Sequence, residues 1–411
     1  MSTWVKEYKP ELISQRMEKV KIVSDDGAVS FSGFEHSEHV VLLNSMISFN
    51  KEIPEIEKRR IINQATFAAG AKGAITPKSL LDEINKLECN YLSTPEQKYR
   101  LLTEISISNL CQIPKVYFEG SWIIVHARLN TTSKTSRNKL IKTSRYSFSN
   151  DLPTDYAAVS VSVKARSTAE AADKALDRLD FIRGVWNFWK NRGQAFRISF
   201  GGSRKPVNRI ILGPLHTLHH KNGTLATESW WYESQYRGVM DLYNEGSEIE
   251  SMRKFMLNFF GLLRKSAYKQ DIVHAVLRYV RALDTSDWDD SFLRLWGVLE
   301  FLTGTQSDGY KVTIRRTSYI FSDREYVNQV LSHLRDYRNK SVHEDSESGD
   351  IESLMYQLKH YVERLIEFHV ANKFCFSSIT EAAKFLDSPN EKEAIDKQIS
   401  RLRYAKKFIS G

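Results

Sequence analysis

Residues 156–189, YAAVSVSVKARSTAEAADKALDRLDFIRGVWNFW, contain both kinds of secondary structure that the chain predicts. The first ten alternate β-branched side chains with small or polar ones, which is typical of a strand with one buried face. Between Ala171 and Ile182 the apolar residues instead recur every three or four positions, which predicts a helix. The expected N-cap of that helix is Ser167 or Thr168, since a hydroxyl there accepts a hydrogen bond from the first turn.

The segments before this stretch predict further helices and a strand. TPKSLLDEINKL (76–87) and TPEQKYRLLTEISI (94–107) both begin with Thr-Pro, a helix N-terminal signal, and Gln97 gives the second a capping box. SWIIVHARL (121–129) is rich in β-branched and aromatic residues and predicts a strand. The region up to residue 245 therefore predicts an α+β arrangement with a small sheet.

From Met252 onward every segment has helical periodicity and no strand pattern is convincing. The expected fold class is α+β: an N-terminal α+β region over 1–245, with a further division near residue 115 left open, followed by an all-α bundle over 246–411. In DDSFLRLWGVLEFLTG (289–304) Asp289 or Asp290 is the expected N-cap and Gly304 the expected helix end.

The composition restricts the class of protein. The chain has 411 residues, 41% of them hydrophobic and 27% charged, and no apolar run reaches the roughly 18–20 residues needed to span a bilayer. The three cysteines are widely spaced, which argues against a disulfide framework and fits a reducing compartment. The first residues lack the apolar centre of a secretory signal. We therefore expect a cytoplasmic protein with no membrane partner.

The net charge of +9 is concentrated in two stretches that contain no Asp or Glu. Residues 121–150 carry six Lys or Arg and residues 181–227 carry eight, so the rest of the chain is net acidic by about five charges. Such a concentration is expected of a surface that binds a polyanion, and two solvated hairpins are the alternative. The residues predicted to contact nucleic acid are Lys134, Arg137, Lys139, Lys142, Arg145, Arg204 and Lys205.

One arginine in the C-terminal region lies where an apolar residue is expected. In REYVNQVLSHLRDYRNK (324–340) the apolar stripe begins at Val327 and continues through Leu331 and Leu334. At 100° per residue, Arg338 falls about 20° from Val327, within that stripe. A buried unpaired guanidinium costs several kcal/mol, so Arg338 is expected to face a carboxylate, a cleft or an anion.

Glu300 is a second polar residue at the edge of an apolar face. It projects between Trp296 and Leu293 on the helix of residues 289–304. One interpretation is a buried Glu300–Arg338 pair that only fixes helix packing. The other is that the same pair holds the guanidinium at the mouth of a catalytic cleft.

The sequence Arg338-Asn339-x-x-x-His343, near the end of a helix in an all-α region, resembles the R-x4-6-H motif of the HEPN superfamily of metal-independent ribonucleases. FLRLWGVLEFLTG (292–304) is similar to the corresponding helix of the ApeA-like, abortive-infection branch of that superfamily. The resemblance covers residues 246–411. It implies that Arg338, Asn339 and His343 belong to the catalytic site, and the catalytic interpretation of the Glu300–Arg338 pair adds Glu300.

The resemblance also implies an activity and partners. The expected activity is RNA cleavage by attack of the ribose 2′-OH, without metal or other cofactor, at a composite site of a homodimer formed through the helical domain. RNA is the expected substrate, tRNA being one candidate, and a phage-derived trigger would control it. A non-catalytic helical module that binds a partner, a nucleotide or RNA is the alternative. His343 discriminates between them, because a scaffold has no use for an imidazole beside the arginine, which only a bend near His343 would place there.

Overall fold

The structure is a computed structural model that describes residues 1–50, 52–108, 111, 113–143, 152–153, 155–192, 205–234, 236, 242–244, 246–305, 309–343 and 351–409, the last four residues of 309–343 without their side chains. It mixes helices with a sheet, which confirms the α+β class. The described residues form the strands β1 (Thr3–Trp4), β2 (Lys21–Val23), β3 (Val29–Phe31), β4 (Ile47–Ser48), β5 (Gln97–Ser108), β6 (Val116–Phe118), β7 (Ser121–His126), β8 (Tyr156–Ala165), β9 (Leu215–His220) and β10 (Leu225–Tyr232). They form the helices α1 (Pro10–Val20), α2 (Glu35–Met46), α3 (Glu55–Lys72), α4 (Pro77–Ser93), α5 (Thr131–Thr143), α6 (Thr168–Asn191), α7 (Ile249–Leu263), α8 (Lys269–Ala282), α9 (Trp288–Thr303), α10 (Tyr310–Ser318), α11 (Arg324–His343), α12 (Ile351–Ala371), α13 (Ile379–Leu386) and α14 (Lys392–Ile409).

The main sheet is antiparallel and has the strand order β10-β9-β5-β8-β7-β6. The predicted strands at 121–129 and 156–165 are confirmed as β7 and β8. Strand β8 is interior and lies between β5 and β7. Strand β7 lies between β8 and β6, and β6 is the edge strand. The sheet thus has one end at β6, beside which α7 packs.

The helix predicted for residues 94–107 is wrong, because β5 occupies this segment. Thr94 is instead the C-cap of α4, and its N–H donates to the carbonyl of Asn90 at 3.1 Å. A cap contributes about 1 kcal/mol, whereas β5 lies in the middle of the sheet with a partner on each side. Leu101, Leu102 and Ile105 are buried there, which a surface helix would not achieve.

Helix α6 packs across the sheet and against the C-terminal helices. Its N-cap is Ser167, one of the two predicted candidates, and the Oγ of Ser167 accepts from the backbone N–H of Glu170 at 3.0 Å. Gly184 lets α6 approach α8 closely, since a Cβ there would lie 2.7 Å from Cγ1 of Val276. Trp186 and Phe188 are fully buried, so this aromatic run belongs to the core.

The C-terminal helices form a bundle around α9 and α12. The predicted apolar stripe of α9 is buried, and Gly304 ends the helix with a left-handed φ of 64°. The N-cap is Asp287 rather than Asp289 or Asp290, because its carboxylate accepts from the N–H groups of both residues. Helices α10 and α13 were not predicted; both are short.

The buried apolar residues divide into two cores. One consists of residues between Ile13 and Tyr91, from α1–α4 and their flanking segments. The other is continuous from the main sheet through α6 into the helices that follow residue 246. The division between cores therefore lies before β5 and does not coincide with the proposed boundary at residue 245. Within the described ranges, none of the helices combines the length and apolar character that crossing a bilayer requires.

Candidate catalytic and nucleic-acid site

Helix α11 carries the motif arginine at the end of its buried stripe. Val327, Leu331 and Leu334 are buried, and Arg338 follows one turn after Leu334. The Arg338 side chain is half-buried. Arg338 therefore lies in line with the apolar stripe of α11, as the helical period predicts.

The guanidinium of Arg338 lies over an aromatic ring. Its Cζ is 5.0 Å from the ring centroid of Tyr310, the first residue of α10. Its Nη1 is 3.5 Å from Oδ1 of Asn339, at the outer limit of a hydrogen bond. A cation over an aromatic face gains about 0.5–1 kcal/mol at a partly exposed site. Tyr310 thus helps to fix the direction in which the guanidinium points.

Glu300 does not form the predicted ion pair. Among the described residues its carboxylate accepts a hydrogen bond from Nε1 of Trp296 at 2.8 Å, and no ion pair joins it to Arg338. The indole N–H needs an acceptor because Trp296 is buried, and Glu300 lies one turn farther along α9. The Trp296 ring is 6.3 Å from the Tyr310 ring, centroid to centroid. Glu300 therefore reaches Arg338 only through two aromatic side chains.

His343 is the last residue of α11. Its side chain lies outside the described part of the structure, so the predicted bend beside Arg338 stays a prediction. The backbone is helical from Arg338 to His343, and five residues of regular helix rotate a side chain by about 140°. Positions 338 and 343 therefore lie on different faces of a regular helix.

Helix α5 presents part of the predicted nucleic-acid surface. Lys134, Lys139 and Lys142 are exposed on it. Lys205 is also exposed, while its backbone carbonyl accepts from Nε1 of Trp288 at 3.2 Å. Two further predicted residues, Arg145 and Arg204, lie outside the described residues.

The assignment of Arg137 to a nucleic-acid surface is wrong. It is only 4% exposed, and its Nη2 donates to both carboxylate oxygens of Glu104 at 2.7 Å. Its Nη1 donates to Oγ1 of Thr217 at 3.0 Å. This cation is neutralised by a carboxylate from β5, far away in sequence. It joins α5 to the sheet and is not available to a phosphate.

Two cations of the second basic stretch are also paired with acids. Arg183 is fully buried between Asp180 and Asp284. Nζ of Lys190 lies 2.8 Å from a carboxylate oxygen of Glu248. These two cations are therefore paired with acids that lie outside the stretch. The predicted nucleic-acid residues that are described and exposed are Lys205 and the three lysines of α5.

Sequence reasoning missed Tyr310 and the role of Trp296. The signal for α10 was present, because Thr313, Ile314 and Thr317 have helical spacing and are all buried. Hydroxyl-bearing residues at these core positions masked the pattern. No cluster of three His, Cys, Asp or Glu that could hold a metal occurs in the described part of the chain.

Comparison of this chain with models of known protein families, with curated proteins and with solved structures gives no match in any of the three.

Proposed function

We propose that this protein is a metal-independent endoribonuclease. The observation that carries the proposal is the half-buried Arg338, held over Tyr310 near the end of α11 and beside Asn339, with His343 five residues farther along the helix. A permanently charged, oriented group that keeps part of its surface accessible is suited to hold a phosphate. The motif's resemblance to HEPN ribonucleases supplies the reaction class.

The proposed reaction needs a proton carrier and an anion binder. The ribose 2′-OH attacks the adjacent phosphorus, and the bond to the 5′ oxygen breaks, which leaves a cyclic phosphate and a 5′-OH. The guanidinium of Arg338 donates to the phosphoryl oxygens as charge develops. An imidazole exchanges protons near neutral pH, which suits His343 for the attacking or the leaving oxygen. Asn339 orients the phosphate or the imidazole, and Glu300 acts on the site only through Trp296.

The biological setting follows from the resemblance. We propose a cytoplasmic bacterial defence enzyme that acts in abortive infection, is toxic to its host when a phage-derived trigger activates it, and cleaves RNA, with tRNA as one candidate. The exposed Lys134, Lys139 and Lys142 on α5 are the proposed RNA contacts. Their effect is electrostatic, so salt should weaken RNA binding.

The alternative function is a non-catalytic module that binds RNA or a protein through its helices. The rotation of about 140° between Arg338 and His343 on a regular helix favours it, because a nuclease needs both groups at one phosphate. Cleavage activity separates the two functions.

The test is incubation of the purified protein with labelled RNA, with and without EDTA. We expect cleavage that EDTA leaves unchanged, and products that end in a cyclic phosphate and a 5′-OH. DNA of the same sequence should stay intact because it lacks the 2′-OH. Loss of activity on chelation, or products that carry a 5′-phosphate, would contradict the proposal.

The proposal includes a homodimer, and α14 offers a contact for it. No residue of this helix is buried within the described monomer. Its apolar positions Ile395, Ile399, Leu402 and Ile409 follow a heptad spacing, interrupted by Lys406. A helix with such a stripe needs a partner, and a second copy of α14 supplies one.

Charge favours the antiparallel arrangement of the two α14 helices. Both acids of the helix lie in its first half, whereas the second half carries four cations and no acid. Antiparallel packing about a two-fold axis near residues 399–402 places Asp396 opposite Arg403 of the other copy, twice. Parallel packing would bring the two cationic halves together.

We therefore expect Leu402→Glu to shift the protein from dimer to monomer, because it puts a carboxylate at the centre of the apolar stripe. Leu402 is exposed in the monomer, so the fold should be unaffected. Ser400→Glu adds the same charge on the same helix outside the stripe and serves as the control. Light scattering after gel filtration measures the mass, and a dimer that survives Leu402→Glu would exclude this contact.

A further inference from the structure

A groove runs along the open edge of the main sheet, between β6 and α7. Its volume is about 770 Å³, within the roughly 300–1,000 Å³ of typical ligand pockets. One wall is the consecutive segment 113–119, which includes β6. The floor and the opposite wall are apolar and contain Trp186, Met256 and Phe260. Leu257 at the rim is 49% exposed, so the apolar surface continues to the solvent.

The backbone of β6 has an unused edge at this groove. Glu119 and Gly120 form the turn of the β6–β7 hairpin, both with positive φ, as in a two-residue type I′ turn. In such a hairpin Phe118 and Ser121 exchange backbone hydrogen bonds, and the next pair, Tyr117 and Trp122, does not. The N–H and C=O of Tyr117 therefore point away from β7, toward the groove. No described strand pairs with this side of β6.

The rim of the groove is cationic. Lys115, Arg264 and Lys269 lie on it and are exposed, and no described carboxylate pairs with any of them. The acid on the rim, Glu119, is already held by Arg178, whose Nη1 is 2.6 Å from its Oε2. The rim is thus complementary to negative charge.

Two exposed aromatic side chains extend the site over the outer face of the hairpin. Tyr117 is 56% and Trp122 42% exposed, and their ring centroids are 5.0 Å apart. Nζ of Lys115 lies 5.1 Å from the centroid of the Trp122 ring. Exposed aromatic residues beside a cation are common at the centres of protein interfaces.

We propose that this groove binds an extended acidic peptide segment of a partner protein, which adds as a seventh strand beside β6. The backbone of the segment would pair with the N–H and C=O of Tyr117. Because side chains alternate along a strand, every second one would enter the apolar wall at Met256 and Phe260. The intervening acidic side chains would reach the cationic rim at Lys115 and Arg264.

A peptide fits these features better than a compact amphipathic anion does. An anion with an apolar tail would use the floor and one or two cations, but it would leave the edge of β6 without a partner. Edge strands of sheets are commonly covered or blocked, and β6 is instead bordered by an apolar groove. Strand addition uses the edge, the floor and the rim together.

The test uses a fluorescein-labelled six-residue peptide in which leucine and glutamate alternate, with fluorescence anisotropy as the readout and no RNA present. We expect it to bind the full chain, with an affinity that falls as ionic strength rises. The same peptide with lysine in place of glutamate should bind at least about tenfold more weakly, because like charges repel at the rim. Equal binding of the two peptides would overturn the proposal.

Two further comparisons separate strand addition from general attraction. The double variant Lys115→Glu/Arg264→Glu should lose at least about tenfold in affinity, whereas Lys254→Glu/Lys265→Glu, an equal change on exposed residues outside the groove, should lose much less. A peptide N-methylated at the amides that face β6 should not bind, since it has no N–H to donate to the C=O of Tyr117 and its methyl groups prevent close approach to the strand edge. Binding of the methylated peptide at full strength, or equal losses in the two double variants, would overturn the proposal. Neither result depends on nuclease activity.

Discussion

Purified protein with His343→Ala is expected to cleave RNA about 10²–10⁴-fold more slowly than the wild type, because removing a general acid or base typically costs that much. The fold should persist, since His343 is the last residue of α11 and lies beyond its buried stripe. Single-turnover cleavage of end-labelled RNA measures the rate, and circular dichroism checks the fold. Cleavage at the wild-type rate would remove His343 from the mechanism.

The control for this variant lies on the same helix. His333 is an exposed histidine of α11, ten residues earlier, so His333→Ala should leave the cleavage rate unchanged. Arg338→Ala should lower the rate as strongly as His343→Ala, while Arg338→Lys should restore only part of it, because an ammonium lacks the planar fork of donors. A lysine variant with full activity would show that only charge is needed at this position.

The same variants test the toxicity that the proposed role in defence implies. Equal growth of cells that express the wild type and His343→Ala, with and without infection, would favour the non-catalytic module. The distinction rests on one imidazole, since both functions use the arginine.

The local sequence pattern was sufficient to predict those elements whose periodic apolar face is buried in the folded chain. Strand β8 has the predicted bounds, and the N-cap of α6 is Ser167, one of the two predicted residues. Both contain long periodic runs, and the tertiary structure buries the faces that the period indicates. The apolar stripe of α11 and the position of Arg338 within it were predictable for the same reason.

The prediction failed where a contact distant in sequence decides the outcome. The Thr-Pro signal at residue 94 was overridden by pairing of β5 with β8 and β9. Arg137 was taken for a surface cation because no acid lies near it in sequence, but folding brings Glu104 to it. A count of charges along the chain therefore overestimates the basic surface.

Glu300 shows how far the sequence predicts the contacts of the site. The helical period correctly placed its side chain beside Trp296, but could not decide which group it would bind. Its carboxylate takes the nearer donor, the indole N–H on the same helix, while Arg338 takes the ring of Tyr310. Helix α10, which carries Tyr310, was missed because threonines occupy two of its buried positions.

A buried arginine gives the second large prediction. Arg183 on α6 is fully buried, and its Nη1 and Nη2 donate to the two carboxylate oxygens of Asp284 at 2.7 Å each. Asp180 accepts from the same guanidinium at 2.8 Å. Burial alone would lower the pKa of Arg183, but the carboxylates of Asp284 and Asp180 outweigh it and raise the pKa above its ordinary value. This cluster joins α6 to the end of α8.

Asp284→Ala should therefore lower the free energy of unfolding by about 3–5 kcal/mol, because Asp180 is then the remaining carboxylate beside the buried guanidinium and Arg281 already shares it. The backbone carbonyl of Ile210, which accepts from Nη1 of Arg183 at 3.0 Å, carries no full negative charge. The control is Asp290→Ala, which breaks the exposed pair with Arg294 on α9, whose N and O atoms are 2.8 Å apart. An exposed pair contributes about 0–1 kcal/mol, so this control should change the urea midpoint little. Urea unfolding followed by tryptophan fluorescence compares the two variants. Equal midpoints would mean that water or a local shift compensates the buried cation, and that the cluster does not hold the sheet and the helices together.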